Sequence, residues 1–195
     1  MIDAKELLGT IASLLSIVGF AFYMPKMFSG QTKPHAFSWF VWSFTAIIVF
    51  ATQVAGGAGP GAWLFAVEIL GCSTVFCWAL AYGEKGYTSS DWIALTLALL
   101  SLVSWITTKT LMPSVILITL VEVFGFFPTF RKSFDKPFEE SAVVYALSPP
   151  KCLISLFAIE HYALTTTLYP IAIIILNTGF VTMLWIRRRQ KQRIA

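Results

Sequence analysis

Charge is what this sequence has least of. Only 12% of its 195 residues are Asp, Glu, Lys or Arg, whereas 57% are hydrophobic and 15% aromatic. A soluble domain of this size needs far more charge to cover its surface, so the composition points to an all-α membrane protein. Cysteine is scarce as well. Cys72, Cys77 and Cys152 lie inside apolar runs, at no metal-ligand spacing and in no extracellular disulfide pattern, and read as small buried hydrophobes. There is no phosphate-binding glycine loop, zinc motif or nucleophile elbow. The run Gly56-Gly57-Ala58-Gly59-Pro60-Gly61 lacks both a preceding strand and a lysine, and is a tight turn. No catalytic residue, metal ligand or cofactor is assigned, and an enzyme is not expected.

What the chain does have is long apolar runs. A bilayer-spanning helix needs about 20 mostly apolar residues, and seven spans are expected at roughly 8–28, 36–55, 62–82, 91–108, 112–131, 141–162 and 164–187. The first run follows Asp3, Lys5 and Glu6 and is long enough to span, so it is read as a retained helix and not a cleaved signal. Turn residues mark the hinges at Lys33-Pro34-His35, Gly83-Glu84-Lys85-Gly86 and Asp135-Lys136-Pro137.

The net charge of +4 would suit nucleic acid, but its placement argues for a membrane partner. Five of the 14 basic residues crowd the tail from Arg187 to Arg193, directly after an apolar helix, as at an anionic cytoplasmic leaflet. With seven spans, Lys26, Lys33, Lys85, Arg131, Lys132, Lys136 and that tail fall on one side, leaving Lys5 and Lys109 on the other. The expectation is a multi-pass protein of a bacterial-type inner membrane, tail in the cytoplasm and N-terminus outside.

Sliding the chain against itself by 103 residues places Pro25 on Pro128, Lys33-Pro34 on Lys136-Pro137, Ser38 on Ser141 and Trp42 on Tyr145. Spans one to three then match five to seven in the same orientation, a parallel repeat. The expected organisation is 3+1+3: a first three-helix bundle over 1–86, a linker helix over 87–110 and a second bundle with the basic tail over 111–195.

This arrangement resembles the PQ-loop superfamily, which includes the SWEET sugar transporters, the PnuC vitamin transporters, cystinosin-type exporters and the KDEL receptor. The segments that carry the resemblance are Tyr23-Met24-Pro25-Lys26-Met27-Phe28 through Ser38-Trp39-Phe40-Val41-Trp42, and Phe126-Phe127-Pro128-Thr129-Phe130-Arg131 through Ser141 to Tyr145. The glutamine that names the motif is Lys26 in one half and Thr129 in the other, and only span six carries a second-helix proline, as Pro149-Pro150. The resemblance implies a small polar solute transporter, a facilitator or a proton-coupled carrier, that works by alternating access of two bundles. It implies hinges at Pro25, Pro128, Pro149 and Pro150. By the family's pattern the third helix of each half holds the substrate, which here means Asn177 and, through the repeat, Thr74, with Ser73 and Trp78 nearby. The alternative is a membrane receptor or sorting protein that binds a small ligand or peptide without moving it. A homo-oligomer is compatible with either.

The residues themselves add a second set. An ionisable side chain at mid-bilayer costs at least ~2.5–3.5 kcal/mol, so it needs a partner or an aqueous cavity. Glu122 and Lys151 lie at similar depth with opposite sign, and are expected to pair across the interior. Glu68 is the competing partner for Lys151. The consecutive prolines before Lys151 are expected to break the helix there. Glu160 and His161 sit at the outer end of span six, where a solvated end and a proton-coupling histidine are both open. Trp39, Trp63, Trp92, Trp105 and Trp185 suit interfacial belts, while Trp42 lies one turn further in and is a pocket candidate. Asn177, the only asparagine, is either a ligand contact or an interhelical hydrogen bond worth ~0.6 kcal/mol on average.

Overall fold

A computed structural model describes residues 3–84, 86 and 88–194, without the side chains of Ser90, Asp91, Ala94, Pro128 and Ile194. Among these residues it contains seven α-helices and no strand. They are α1 (Ala4–Phe28), α2 (Ala36–Ala55), α3 (Trp63–Tyr82), α4 (Ser89–Thr108), α5 (Leu111–Asp135), α6 (Ala142–Ala158) and α7 (Leu164–Ile194), with a 3-10 turn over Gly59–Ala62 leading into α3. Lys85, one of the basic loop residues named above, lies outside the described residues.

Local chemistry explains the boundaries. The Asp3 amide donates to Glu6 at 3.1 Å to start α1. His35 precedes α2, and its ring accepts from the Ser38 amide at 3.3 Å. Gly57 and Gly59 take positive φ values of 75° and 58° in the turn after α2, a conformation that glycine alone adopts freely.

Five helical segments are long and apolar enough to cross a membrane by length and composition: Ala4–Phe28, Ala36–Ala55, Gly59–Tyr82, Leu111–Asp135 and Leu164–Arg193. The apolar stretches Leu95–Thr108 and Ala142–Ala158 are shorter. Span six was expected over 141–162, but α6 stops at Ala158 because the chain turns there to bond the loop after α2. The Glu160 and His161 amides donate to the Ala58 and Gly57 carbonyls, each at 3.2 Å. At 1.5 Å per residue the 17 residues of α6 cover about 26 Å, slightly less than the ~30 Å hydrocarbon core. The expected break at Pro149-Pro150 is absent, and α6 is continuous through both. Proline φ suits a helix, so only the bonds their nitrogens would donate to the Tyr145 and Ala146 carbonyls are lost.

Large apolar residues cover much of the surface, while several charged and polar side chains are buried among the apolar core. Leu70 is 72% exposed and Ile175 66%, whereas Lys151 is 3%, Glu122 4% and Asn177 4%. Hydrocarbon around the bundle removes the cost of that exterior, which in water would be an aggregating patch.

Helix α3 packs on α1 and α2, and α7 packs on α5 and α6. Helices α1 and α6 meet across the middle, as do α2 and α5, while α4 lies against α5 and α2. The two largest of four buried clusters among the described residues flank the middle of the bundle. An aromatic one nearer the basic tail includes Phe20, Tyr23, Trp39, Trp42, Phe126, Tyr145 and Phe180. The other, towards the opposite end, includes Leu64, Phe65, Ile118, Cys152, Tyr169 and Ile173. Trp39, expected at an interface, is only 3% exposed and is wedged between Tyr23 and Trp42, with both ring centroids 5.2 Å away.

Candidate functional site

Between these two clusters lies a cavity of about 80 Å³, room for several water molecules, since one occupies roughly 10–15 Å³ on this measure. Helices α1, α2, α3, α5, α6 and α7 all contribute to its walls, and α4 does not. Trp42, Glu68, Glu122, Lys151 and Asn177, expected from the sequence, all line it.

Their pairing differs from the first expectation. Lys151 binds Glu68, not Glu122, with Nζ 2.5 Å from Oε1. The Ser16 hydroxyl also donates to Glu68, and Lys151 reaches the Ser16 oxygen at 3.4 Å. The reason is helix adjacency: α6 packs on α1, and α1 packs on α3, so Ser16 and Glu68 share the surface that Lys151 meets. Glu122 on α5 instead accepts from the Tyr169 hydroxyl of α7 at 2.8 Å. Asn177 donates to the Ile173 carbonyl one turn back, at 2.9 Å.

Ser73, Thr74 and Trp78 are not brought to the cavity. Thr74 is exposed on the bundle surface and bonds the Leu70 carbonyl at 2.8 Å, and Trp78 meets Phe28 edge-on and Tyr82 at a tilt, with centroids 4.8 and 4.3 Å away. Among the cavity positions of α3 are Leu64, Glu68 and Cys72, beside Phe65, and those of α7 are Tyr169, Ile173 and Asn177. Each pair is offset by 105 residues rather than 103. Two residues turn a helix by about 200°, so the sequence offset aims Asn177's counterpart at the opposite face, and Cys72 holds the position given to Thr74. The same four-residue spacing on α7 was the signal that could have found Tyr169, the partner of Glu122.

Aromatic rings make up much of the remaining wall: Phe20, Trp39, Phe65, Phe126 and Tyr145. The buried Tyr145 hydroxyl and Trp42 Nε1 have no protein hydrogen-bond partner. Of the expected hinges, Pro25 lies in the last turn of α1 and Pro149 and Pro150 within α6. Pro128 lies within α5, its side chain outside the described residues.

Polar contacts flank the cavity at each end, several of them joining the first three helices and their loops to the last three. At the end bearing the basic tail, Lys132 reaches Glu140 at 3.4 Å and Glu84 at 3.6 Å and donates to the Lys33 carbonyl. Tyr23 donates to Glu140 at 3.3 Å, and Arg188 holds the Pro137 and Glu140 carbonyls at 2.9 and 2.6 Å. Burial pushes the Glu140 carboxyl above its ordinary range, and the Lys132 ammonium offsets this only in part. At the opposite end, Ser155 donates to Gly61 at 2.7 Å and Lys5 to Ile159 at 2.8 Å. Gln53 donates to the Thr166 carbonyl at 2.9 Å, which Pro170, four residues on, leaves without its helical donor. Glu160 and His161 belong to this end as exposed loop residues, outside the cavity.

Comparison of the chain with protein-family models, with curated proteins and with solved structures finds no match.

Proposed function

We propose that this protein carries a small polar solute across a membrane, and that the cavity between α1–α3 and α5–α7 is its binding site. One observation carries the reading: an ion pair, a second carboxyl and an asparagine line one shared cavity at mid-bundle, with polar contacts between the two halves at each end. A purely structural ion pair gains nothing from a void beside it, because interiors pack to high density. A solute site needs such a void, with a few polar groups to orient the ligand.

In this reading all seven helices cross the bilayer, with the basic tail and the Lys132 network on the cytoplasmic side and the N-terminus outside. The two three-helix bundles over 1–86 and 111–195 rock about the cavity, with α4 as linker. The contacts at the two ends then act as alternating gates, one opening while the other holds. The pairwise packing of α1 with α6 and α2 with α5 supports this, since it gives the two halves a shared seam. The resemblance to the PQ-loop superfamily is part of the same proposal.

The test is solute flux into liposomes containing the purified chain, across a panel of sugars, amino acids, nucleosides and amines. Uptake should fall at least about tenfold for Lys151→Met and for Asn177→Ala, the loss of a single contact worth ~1.4 kcal/mol. Ligand binding without flux would overturn the carrier reading in favour of a receptor.

A further inference from the structure

The charge inside the cavity does not balance. Lys151 is committed to Glu68, at 2.5 Å and with Ser16 completing the group. Glu122 is left with one hydrogen bond, from the Tyr169 hydroxyl, and no basic side chain among the described residues lies within ion-pair distance of it. The groups that titrate or carry charge around it are Tyr169 from α7, Glu68 and Cys72 from α3, and Tyr145, Lys151 and Cys152 from α6; α1 and α2 contribute none to the lining, and α4 does not reach it. An unpaired carboxylate in a buried site is costly, and a proton or a ligand cation removes that cost.

The walls favour the same charge. Phe20, Trp39, Trp42, Phe65, Phe126 and Tyr145 present aromatic surface, whose negative faces attract ammonium groups. Lys151 already rests 6.0 Å from the centre of the Phe20 ring. A hard metal ion would want six or more oxygen ligands, and no group of three His, Cys, Asp or Glu among the described residues is placed to hold one. An anion would meet Glu122 with no free cation to receive it, and a neutral polyol would draw on Glu122 only as a hydrogen-bonding group, whereas an ammonium also pairs with its charge.

We infer that the solute is a small organic monocation, an ammonium compound that sits against Glu122 and the aromatic wall and exchanges for a proton on that carboxyl. The inference rests on the cavity being a solute site. The exchange balances: the protonated Glu122 carboxyl releases its proton to cavity water as the ammonium takes its place, and regains one when the ammonium leaves.

Ethanolamine and choline are the probes, with glycerol, lactate and alanine as neutral, anionic and zwitterionic controls. Binding is read from the tryptophan fluorescence of the full chain, since Trp39 and Trp42 line the cavity, and flux from uptake into liposomes with a pH indicator trapped inside. The ammonium probes should bind in preference to the controls, and their affinity should rise by up to about tenfold per pH unit while one proton is being displaced. Uptake should raise the pH inside the liposomes, because Glu122 regains its proton from the lumen as the ammonium is released there. Glu122→Gln should lower ammonium affinity about tenfold or more and abolish its pH slope. If that variant fails to fold, the slope of the unmodified protein still decides, and a flat slope overturns the inference. Ammonium binding no better than that of glycerol or lactate, or unchanged by Glu122→Gln, also overturns it. Glycerol flux without ammonium binding would end the cation site and leave the carrier reading standing. Ammonium binding at Glu122 without any flux would do the reverse.

Discussion

Lys151 illustrates how a costly residue is retained. Its ammonium is buried at mid-helix, and the Glu68 carboxylate with Ser16 is what compensates it. Removing one partner leaves the other charge stranded, which typically costs 3–5 kcal/mol, whereas replacing both with apolar residues is often neutral or better. Lys151→Met alone and Glu68→Gln alone should therefore each lower the melting temperature in detergent markedly, and the double variant Lys151→Met/Glu68→Met should recover most of that loss without recovering flux. A double variant as unstable as the sum of the singles would deny the pairing. Glu140 makes a separate prediction with a definite sign. Because its folded carboxyl titrates above the ordinary range, its protonated form favours the fold at low pH, and that contribution is lost as pH rises through the folded value. Glu140→Gln, which cannot ionise, should therefore gain on the parent in melting temperature as pH rises from about 4 towards neutrality.

At the scale of helices, prolines matter by what they leave unbonded. Pro170 removes the amide that the Thr166 carbonyl would use, and Gln53 from α2 supplies the missing donor. That couples two residues on different helices. Gln53→Leu should cost less in a Pro170→Ala background, where the helical bond can form, than in the parent, by a coupling energy on the order of 0.5–3 kcal/mol. Additive melting shifts would refute the link. The same scale explains why part of the candidate site was legible and part was not. Glu68, Glu122, Lys151 and Asn177 stood out because polar groups within apolar runs are conspicuous wherever they face. Thr74 was misplaced because the sequence offset of 103 was carried into the third helix, whereas cavity positions on α3 and α7 such as Cys72 and Asn177 lie 105 apart. Neither Tyr169 nor Trp39 was recognised, since an aromatic in an apolar run fits a lipid face, an interface or a core equally well.

For the whole molecule, access to the cavity from each end is the testable property. Cys72 and Cys152 line the cavity, and Cys77 is exposed on the bundle surface. In a Cys77→Ser protein, a small water-soluble thiol reagent should label neither remaining cysteine quickly while the contacts at both ends hold. Weakening the basic end with Lys132→Met should raise labelling at Cys72 or Cys152 several-fold, and adding solute should slow it again. Equal labelling in parent and variant would mean that the Lys132 contacts do not gate the cavity.

Seen across these scales, the sequence alone determined that the chain is helical and membrane-like, where most helices run, and which loops share the basic charge. Those properties follow from the order of apolar and charged residues, and hydrophobicity and helix period act along the chain. Only the tertiary structure decided that Lys151 meets Glu68 and leaves Glu122 to Tyr169, that Cys72 rather than Thr74 faces inward, and that polar contacts between the two halves flank the cavity. Each of these depends on which helix lies beside which, and on a rotation of each about its axis that about 100° per residue makes unforgiving.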